Sequence, residues 1–514
     1  MSKFLKGTMI LLIAGFITRV LGFINRIVIA RFIGDDGVGL YMMVYPTMIL
    51  VVTITQLGLP VAISKNVAEA EAAGNLRKVK SILIISLSTT LGLTVIFTPA
   101  LFLLAPYLSQ TLFTDERTLL PLLAITPIIP IIAVSSVLRG YFQGRQNMKP
   151  AAISQVIEQI VRIALIATLT KAFLPLGVEY AAAGAMLASV LGELASLFYL
   201  LASFKWKKKF HLRKKFFQYV HNGKNTFQEL MTIALPTTGS RMIGSIAWFI
   251  EPIVVAHSLS LAGLSAINAT KQYGVLTGFA LPLLMLPSFF TQSLSTSLVP
   301  AISEAKANNQ LKLIEHLLQQ ALKFTFMTGG LAIVVLYVLA EPLMTIMYGS
   351  TRGTSFIQLM APFFILNYYQ GPLQATLQAL NFARAAMINS FIGAAIKTAL
   401  IFILASRPEF GIFGVAIALI VGFVLVTILH FATILKTISF SIIVKDYVKM
   451  LLVIMLTAYL GSLLVKSITF PSILIQIISI TSLICIFYIV LLFLFRLMNK
   501  RDLAKIPWIG PFFS

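Results

Sequence analysis

The chain is 514 residues long, 58% of them apolar and 11% charged, against roughly 45–50% apolar and about 25% charged in an average soluble domain. With a mean hydropathy of +0.93, this excludes a soluble multidomain enzyme and a disordered or fibrous protein. The net charge of +23, from 40 basic and 17 acidic side chains, would point to nucleic acid in a soluble protein. In a membrane protein it follows from Lys and Arg collecting in cytoplasmic loops, so no nucleic-acid partner is expected.

A helix crosses the hydrocarbon with about 20 mostly apolar residues. Fourteen such runs follow along the chain, at 8–32, 41–64, 81–106, 119–142, 153–173, 180–203, 228–256, 272–299, 319–340, 355–380, 387–405, 412–435, 446–465 and 472–497. The first contains Arg19 and Arg26, is too long for a secretory h-region and has no A-x-A site after it, so it reads as a retained span. Basic residues gather at the N-terminus and in the even-to-odd connections, including Arg77, Lys78 and Lys80 and the run from Lys205 to Lys215. The positive-inside rule then puts both termini in the cytoplasm of a multi-pass protein of the cell membrane. The run at 205–215 serves as a topology anchor in a solvated loop, with anionic lipid as the functional alternative.

The first six spans recur in the next six. Thr18-Arg19-x-x-Gly22 returns as Ser240-Arg241-x-x-Gly244, and Ala62-Ile63-Ser64 returns as Ala301-Ile302-Ser303, each of these triplets following a proline. Pro127, Leu138, Gln143 and Arg162-x-Ala-Leu-Ile map in order onto Pro362, Leu373, Gln378 and Lys397-x-Ala-Leu-Ile, and Gly184 and Gly192 onto Gly414 and Gly422. Six spans per repeat keep the orientation, which suits alternating access with a substrate held between the halves. The expected fold is an all-α integral membrane transporter of about 14 helices. It divides into an N-terminal lobe at 1–204, a basic cytoplasmic linker at 205–227, a C-terminal lobe at 228–436, and two extra helices with a tail at 437–514.

Ionised groups at mid-bilayer cost about 2.5–3.5 kcal/mol on insertion scales, so they face a cavity or a partner. Arg19 and Arg26 share one helix face, and Arg19 lies roughly 17 Å into its span, too deep to snorkel easily. Arg241, the repeat mate of Arg19, continues its face through Ser245 and Trp248. The acids well inside spans are Glu158, Glu193 and Glu251. Glu158 stands four residues before Arg162, where a local ion pair forms, so Arg162 is structural or cavity-lining; its mate Lys397 has no acid in its span and reads as cavity-lining. Span 10 carries Asn367, Gln370, Gln374, Gln378 and Asn381 on one face, and span 4 carries Ser135, Arg139, Gln143 and Gln146 on the matching one. Two such stripes describe the walls of a polar passage, with interhelical hydrogen bonding as the alternative. Prolines 121, 127, 130, 282, 287 and 362 kink spans 4, 8 and 10. Phosphate loops, catalytic constellations and metal-ligand spacings are absent from the sequence, and Cys485 stands alone, so no enzyme, cofactor, metal or disulfide is expected. A cationic passage implies an anionic cargo, such as a pyrophosphate-linked lipid glycan.

The segments Thr18–Gly34, Leu138-Arg-Gly-Tyr-Phe-Gln-Gly144, Leu235-Pro-Thr-Thr-Gly-Ser-Arg241 and Tyr369-Gln-Gly-Pro-Leu-Gln374, together with the closing Ile506–Gly510, resemble the stage V sporulation protein B family of endospore-forming bacteria. That family is similar to the lipid II flippases and polysaccharide exporters of the multidrug/oligosaccharidyl-lipid/polysaccharide superfamily. The resemblance implies a flippase for an undecaprenyl-pyrophosphate-linked peptidoglycan precursor of the spore cortex, in the membrane around the forespore. It also implies that Arg19, Arg26 and Lys271 match cavity arginines of helices 1 and 8, and that the two extra helices form a groove for a polyprenyl tail. Some relatives bind sodium through carboxylates of helices 7 and 11; span 11 here has none, which leaves a coupling ion or the membrane potential open. The alternatives are an exporter of another lipid-linked polysaccharide unit, or a membrane scaffold for spore-wall enzymes. The expected cavity set is Arg19, Arg26, Arg241, Lys271, Arg139, Gln143, Gln370, Gln374, Gln378 and Lys397.

Overall fold

The computed structural model describes residues 3–207, 216–438, 444–468 and 470–498; Lys208–Lys215 of the basic run and the closing Ile506–Gly510 segment lie outside them. Among the described residues all regular structure is helical. Backbone contacts divide the chain into two compact units, Met1–Gly278 with Phe402–Ile412, and Phe279–Ile401 with Phe413–Ser514.

The first unit begins with α1 (Lys3–Gln56), two helical stretches that meet at a kink where Gly34 is non-helical (φ 65°, ψ −173°), a conformation open to glycine and costly for other residues. α2 (Leu59–Ala72) follows, and α3 (Leu76–Tyr107) is started by Asn75, whose side chain accepts from the Lys78 amide at 3.0 Å. Pro127 separates α4 (Leu119–Ile125) from α5 (Ile128–Gly144). α6 (Met148–Phe173) and α7 (Val178–Lys207) form an extensive antiparallel pair, and the short α8 (Phe216–His221) leads into α9 (Lys224–Leu261) and α10 (Ala266–Gly274).

Lipid removes most of the hydrophobic drive between helices, so close packing at small residues takes its place. Gly140 and Gly144 of α5 lie so near the Pro60 and Ser64 carbonyls that an added Cβ would stand 2.8 and 2.6 Å from them. Leu59, Ile63, Val67, Ile82, Tyr141 and Phe142 fill the core between α2, α3 and α5. α9 joins this unit through α1 and α2: Thr53 and Ser245 hydroxyls meet at 3.0 Å, and the Tyr45 and Trp248 rings are 5.7 Å apart.

In the second unit, α11 (Leu281–Met285) and α12 (Ser288–Ala307) precede α13 (Leu311–Val338), α14 (Ala340–Tyr348), α15 (Thr354–Met360) and α16 (Phe364–Ala379). α17 (Ala383–Ala405) and α18 (Gly411–Leu435) come next, then α19 (Val444–Ser467) and α20 (Ile473–Leu494). The last two dock on α13, where the Tyr488 hydroxyl donates to the Met327 carbonyl at 2.9 Å and Lys323 pairs with Asp446 at 3.7 Å.

Among the described residues, eleven helices are long and apolar enough to cross a membrane, or twelve if the pair Ala266–Met285 and Ser288–Ala307, bent by 54°, counts as one span. Two local features explain the difference from fourteen apolar runs. The first two runs follow one another within α1, separated only by the kink at Gly34, and the tenth is cut between α15 and α16 by the 3₁₀ turn Ala361–Phe363 around Pro362. The protein is an all-α, multi-pass membrane protein.

Candidate functional site: basic groups and polar faces of the membrane helices

The first unit holds Arg19, Arg26, Arg139, Gln143, Arg241 and Lys271, and the second holds Gln370, Gln374, Gln378 and Lys397. On α1 Arg19 is exposed and Arg26 half-buried, one residue from Asn25, whose buried Oδ1 has no hydrogen-bond partner. Arg241 is exposed on α9, while Ser245 and Trp248 of the same face turn to the second half of α1. None of these three arginines makes a salt bridge among the described residues. Lys271, in the last turn of α10, stands 3.9 Å from Asp35.

Arg139 is placed quite differently. Its Nη2 donates to Glu193 at 3.0 Å, to Glu158 at 3.4 Å and to the Ser196 hydroxyl at 2.9 Å, and its Nε donates to Ser154 at 3.4 Å. Arg162 pairs with the other oxygen of Glu158. Two guanidiniums and two carboxylates from α5, α6 and α7 thus close a charge-balanced quartet, with Glu193 only 2% exposed. Its geometry depends on Gly192, where a Cβ would lie 2.9 Å from the Glu158 carbonyl and 3.1 Å from Arg162 Cβ. Within the quartet Arg162 Nε remains unpartnered, as does Gln159 Oε1 one turn before it on α6. Gln143 sits half-buried one turn beyond Arg139.

In the second unit the polar face of α16 is exposed as its spacing predicts. Gln374, Gln378 and the following Asn381 are exposed and Asn367 and Gln370 half-buried, while Tyr368, Leu373, Ala375, Thr376, Leu377 and Ala379 are buried. Gln370 donates to the Phe423 carbonyl at 3.1 Å, so one member of the stripe ties α16 to α18. Lys397 packs on Gly422, where a Cβ would meet Lys397 Cβ at 3.0 Å. Gly192 against Arg162 and Gly422 against Lys397 are the same two pairs that the internal repeat superimposes.

Residues 4–306 match the family described as polysaccharide biosynthesis protein. The chain belongs to that family. Residues 276–403 also match the MatE family. Among relatives of this polysaccharide biosynthesis family member, stage V sporulation protein B of Bacillus subtilis (strain 168) is 56% identical over 99% of this chain and 98% of its own. The lipid II flippase MurJ of the same organism is 26% identical over 78% of this chain and 77% of its own. A solved structure of lipid II flippase MurJ, inward closed, superposes with a TM-score of 0.71 at 16% identity, covering 97% of this chain and 100% of that one. The resemblance seen in Thr18–Gly34 and its companion segments therefore extends along the whole chain, and the fold is that of this transporter group.

Sequence reasoning reached the Glu158–Arg162 pair through its spacing but missed Glu193 and Ser196 as partners of Arg139. The available signal was Glu193 itself, an acid deep in an apolar run with a glycine before it. It also passed over Asp36, Asp115, Arg117 and Thr270, whose contacts join three separate connections.

Proposed function

We propose that this member of the polysaccharide biosynthesis protein family moves a lipid-linked anionic glycan across the membrane. Its cargo in this reading is an undecaprenyl-pyrophosphate-linked, lipid II-like peptidoglycan precursor used for the spore cortex. The observation that carries the charge assignment is the trio Arg19, Arg26 and Arg241, which are on membrane helices and make no salt bridge among the described residues. Guanidinium groups of this kind bind phosphate oxygens through paired, charge-assisted hydrogen bonds. The name of the 56% identical relative supports a role in sporulation, and that of the flippase relative supports the lipid-linked cargo.

In this proposal Lys271, Gln143, the exposed amides Gln374 and Gln378 and the basic Lys397 complete the polar walls, with Gln370 and Arg139 holding those walls in place. The two sequence repeats, at 1–204 and 228–436, alternate access to the cargo. Both termini are cytoplasmic, and the protein works in the membrane around the forespore. The family description favours one second reading, export of another lipid-linked polysaccharide unit.

Purified protein in liposomes, given lipid II or a sugar-only pyrophosphate lipid, separates the two. The first reading expects movement of lipid II, and preference for the sugar-only lipid would support the second. Arg19→Ala and Arg26→Ala are expected to accumulate normally and lose transport. Lys271→Arg should retain it and Lys271→Glu should not, because a positive charge near phosphate is the role assigned. Full transport by Arg19→Ala and Arg26→Ala would overturn the cationic site.

A further inference from the structure

Three connections of the first unit meet around the Asp115–Arg117 pair. Arg117 Nη1 and Nη2 grip Asp36 at 2.9 and 3.1 Å, beside the turn at Gly34. Arg117 Nε and Nη2 grip Asp115 at 3.0 and 2.8 Å. The Thr270 hydroxyl of α10 donates to the remaining face of Asp115 at 2.8 Å. Asp115 is 3% exposed and Thr270 fully buried. The Asp115 carbonyl in turn accepts from the Ser109 and Thr118 hydroxyls at 3.2 and 2.7 Å, so the loop that carries it is held from both sides. Burial pushes the Asp115 carboxyl up, but the hydrogen bonds from Arg117 and Thr270 more than offset it and leave its pKa below the ordinary value.

The backbones around this cluster interlock. Gly39 lies against the Thr270 carbonyl and Gly274 against the Gly39 backbone, with no room for a Cβ at either position, and a Cβ at Gly274 would also stand 2.8 Å from the Asp35 carbonyl. Val38 fills the space beside Gly278. These contacts join elements that the sequence repeat assigns to different halves: Asp36, Asp115 and Arg117 belong to the first, and α10, the start of span 8, to the second. The boundary between compact units falls immediately afterwards, between Gly278 and Phe279, inside the π-helical turn Val275–Ala280. A 54° bend follows before Ser288. The opening turns of span 8 are thus fastened to the first repeat, while the remainder of the span belongs to the other unit.

In the orientation given by the basic loops, the connections after spans 1, 3 and 7 all lie outside the cytoplasm. We propose that Asp36, Arg117, Asp115 and Thr270 form an extracytoplasmic latch that fastens the start of span 8 to the first repeat and must open for cargo to leave outward. A purely apolar contact would also hold these elements together. Four polar groups that can trade each other for water make a contact that releases as well as holds. Lys271, one residue from Thr270 and facing Asp35, places an anion-binding group beside the latch. The inference rests on the transport reading above.

The test uses the full chain with Cys485→Ser and a reporter Ser245→Cys on the buried seam behind the latch, in intact non-sporulating cells that express it in the plasma membrane and are treated from outside with a charged methanethiosulfonate. Arg117→Ala is expected to raise the labelling rate about tenfold by shifting the population toward the open form. Thr270→Val, isosteric and without the donor, should raise it by a smaller factor. The oxidised pair Asp115→Cys/Thr270→Cys should hold it at or below the parent rate. If Arg117→Ala does not accumulate, Thr270→Val decides alone. Rates unchanged in the accumulating variants overturn the latch. Labelling needs no cargo, so the two readings fail separately: altered labelling without lipid movement keeps the latch and removes the cargo, and lipid movement with unaltered labelling does the reverse.

Discussion

The α6–α7 pair of the first unit and the α17–α18 pair of the second occupy corresponding places in the internal repeat, and both are knitted by a glycine against a basic side chain. They differ in how that base is treated. In the first, Arg162 and Arg139 are met by Glu158 and the buried Glu193. In the second, Lys397 has no carboxylate to meet in α16, α17 or α18, and the residue aligned with Glu193 is Phe423. A neutral contact links these helices where Asn389 donates to Thr433 at 2.9 Å beside the buried His430. One copy of the repeat has thus used its charges to hold helices together, and the other has kept a positive charge beside an exposed polar stripe. A shared backbone arrangement does not fix a shared role for the residues mounted on it.

The sharpest way to break this contrast is Glu193→Ala. Removing one member of a buried ion pair costs about 3–5 kcal/mol, so purified protein should melt far lower, whereas an unchanged melting temperature would mean that the quartet holds nothing together. Next comes Gly192→Ala, which forces a Cβ against the Glu158 backbone and should cost about 1–3 kcal/mol of thermal stability. Gly422→Ala meets only the Lys397 side chain and should cost less; equal losses would erase the difference between the pairs. Lys397→Met should cost less stability than Glu193→Ala, because α16, α17 and α18 carry no carboxylate for it to orphan, yet lower transport in liposomes. The smallest effect concerns pH. Because the folded pKa of Asp115 is depressed, its contribution is complete above the unfolded carboxylate value of about 3.9 and is lost only as pH falls through the lower folded value. The ratio of labelling rates at Ser245→Cys between Arg117→Ala and its parent, in which the thiolate fraction cancels, should therefore be flat from pH 8 to about pH 5, and a change within that window would point to another titrating group.

The features legible in the sequence were those carried by spacing along one helix. Gln370, Gln374 and Gln378 recur every four residues, and Glu158 precedes Arg162 by one turn, so helical periodicity alone placed each set on one face. Arg139 and Glu193 are 54 residues apart, and Thr270 is 155 from Asp115; such meetings depend on which helices pack together, which a local pattern does not encode. The kink between the first two apolar runs was legible in part. Hydropathy marks the polar interval Gly34–Gly37 as a break between spans, and the structure puts a kink at Gly34; that the break is a single non-helical glycine depends on backbone angles that hydropathy does not encode.

The charge balance of the quartet also has an electrical consequence. Moving one elementary charge through a field of 100 mV involves about 2.3 kcal/mol of work. Two guanidiniums and two carboxylates travelling as a rigid group sum to zero, so the α5–α7 core can shift within the bilayer without sensing the voltage across it. A gating charge of the protein's own would then come from other side chains of the membrane helices, among them Arg19, Arg26 and Arg241, the groups proposed above to meet an anionic cargo. Neutralisation of those charges by the cargo would reduce the voltage dependence of the loaded protein below that of the empty one.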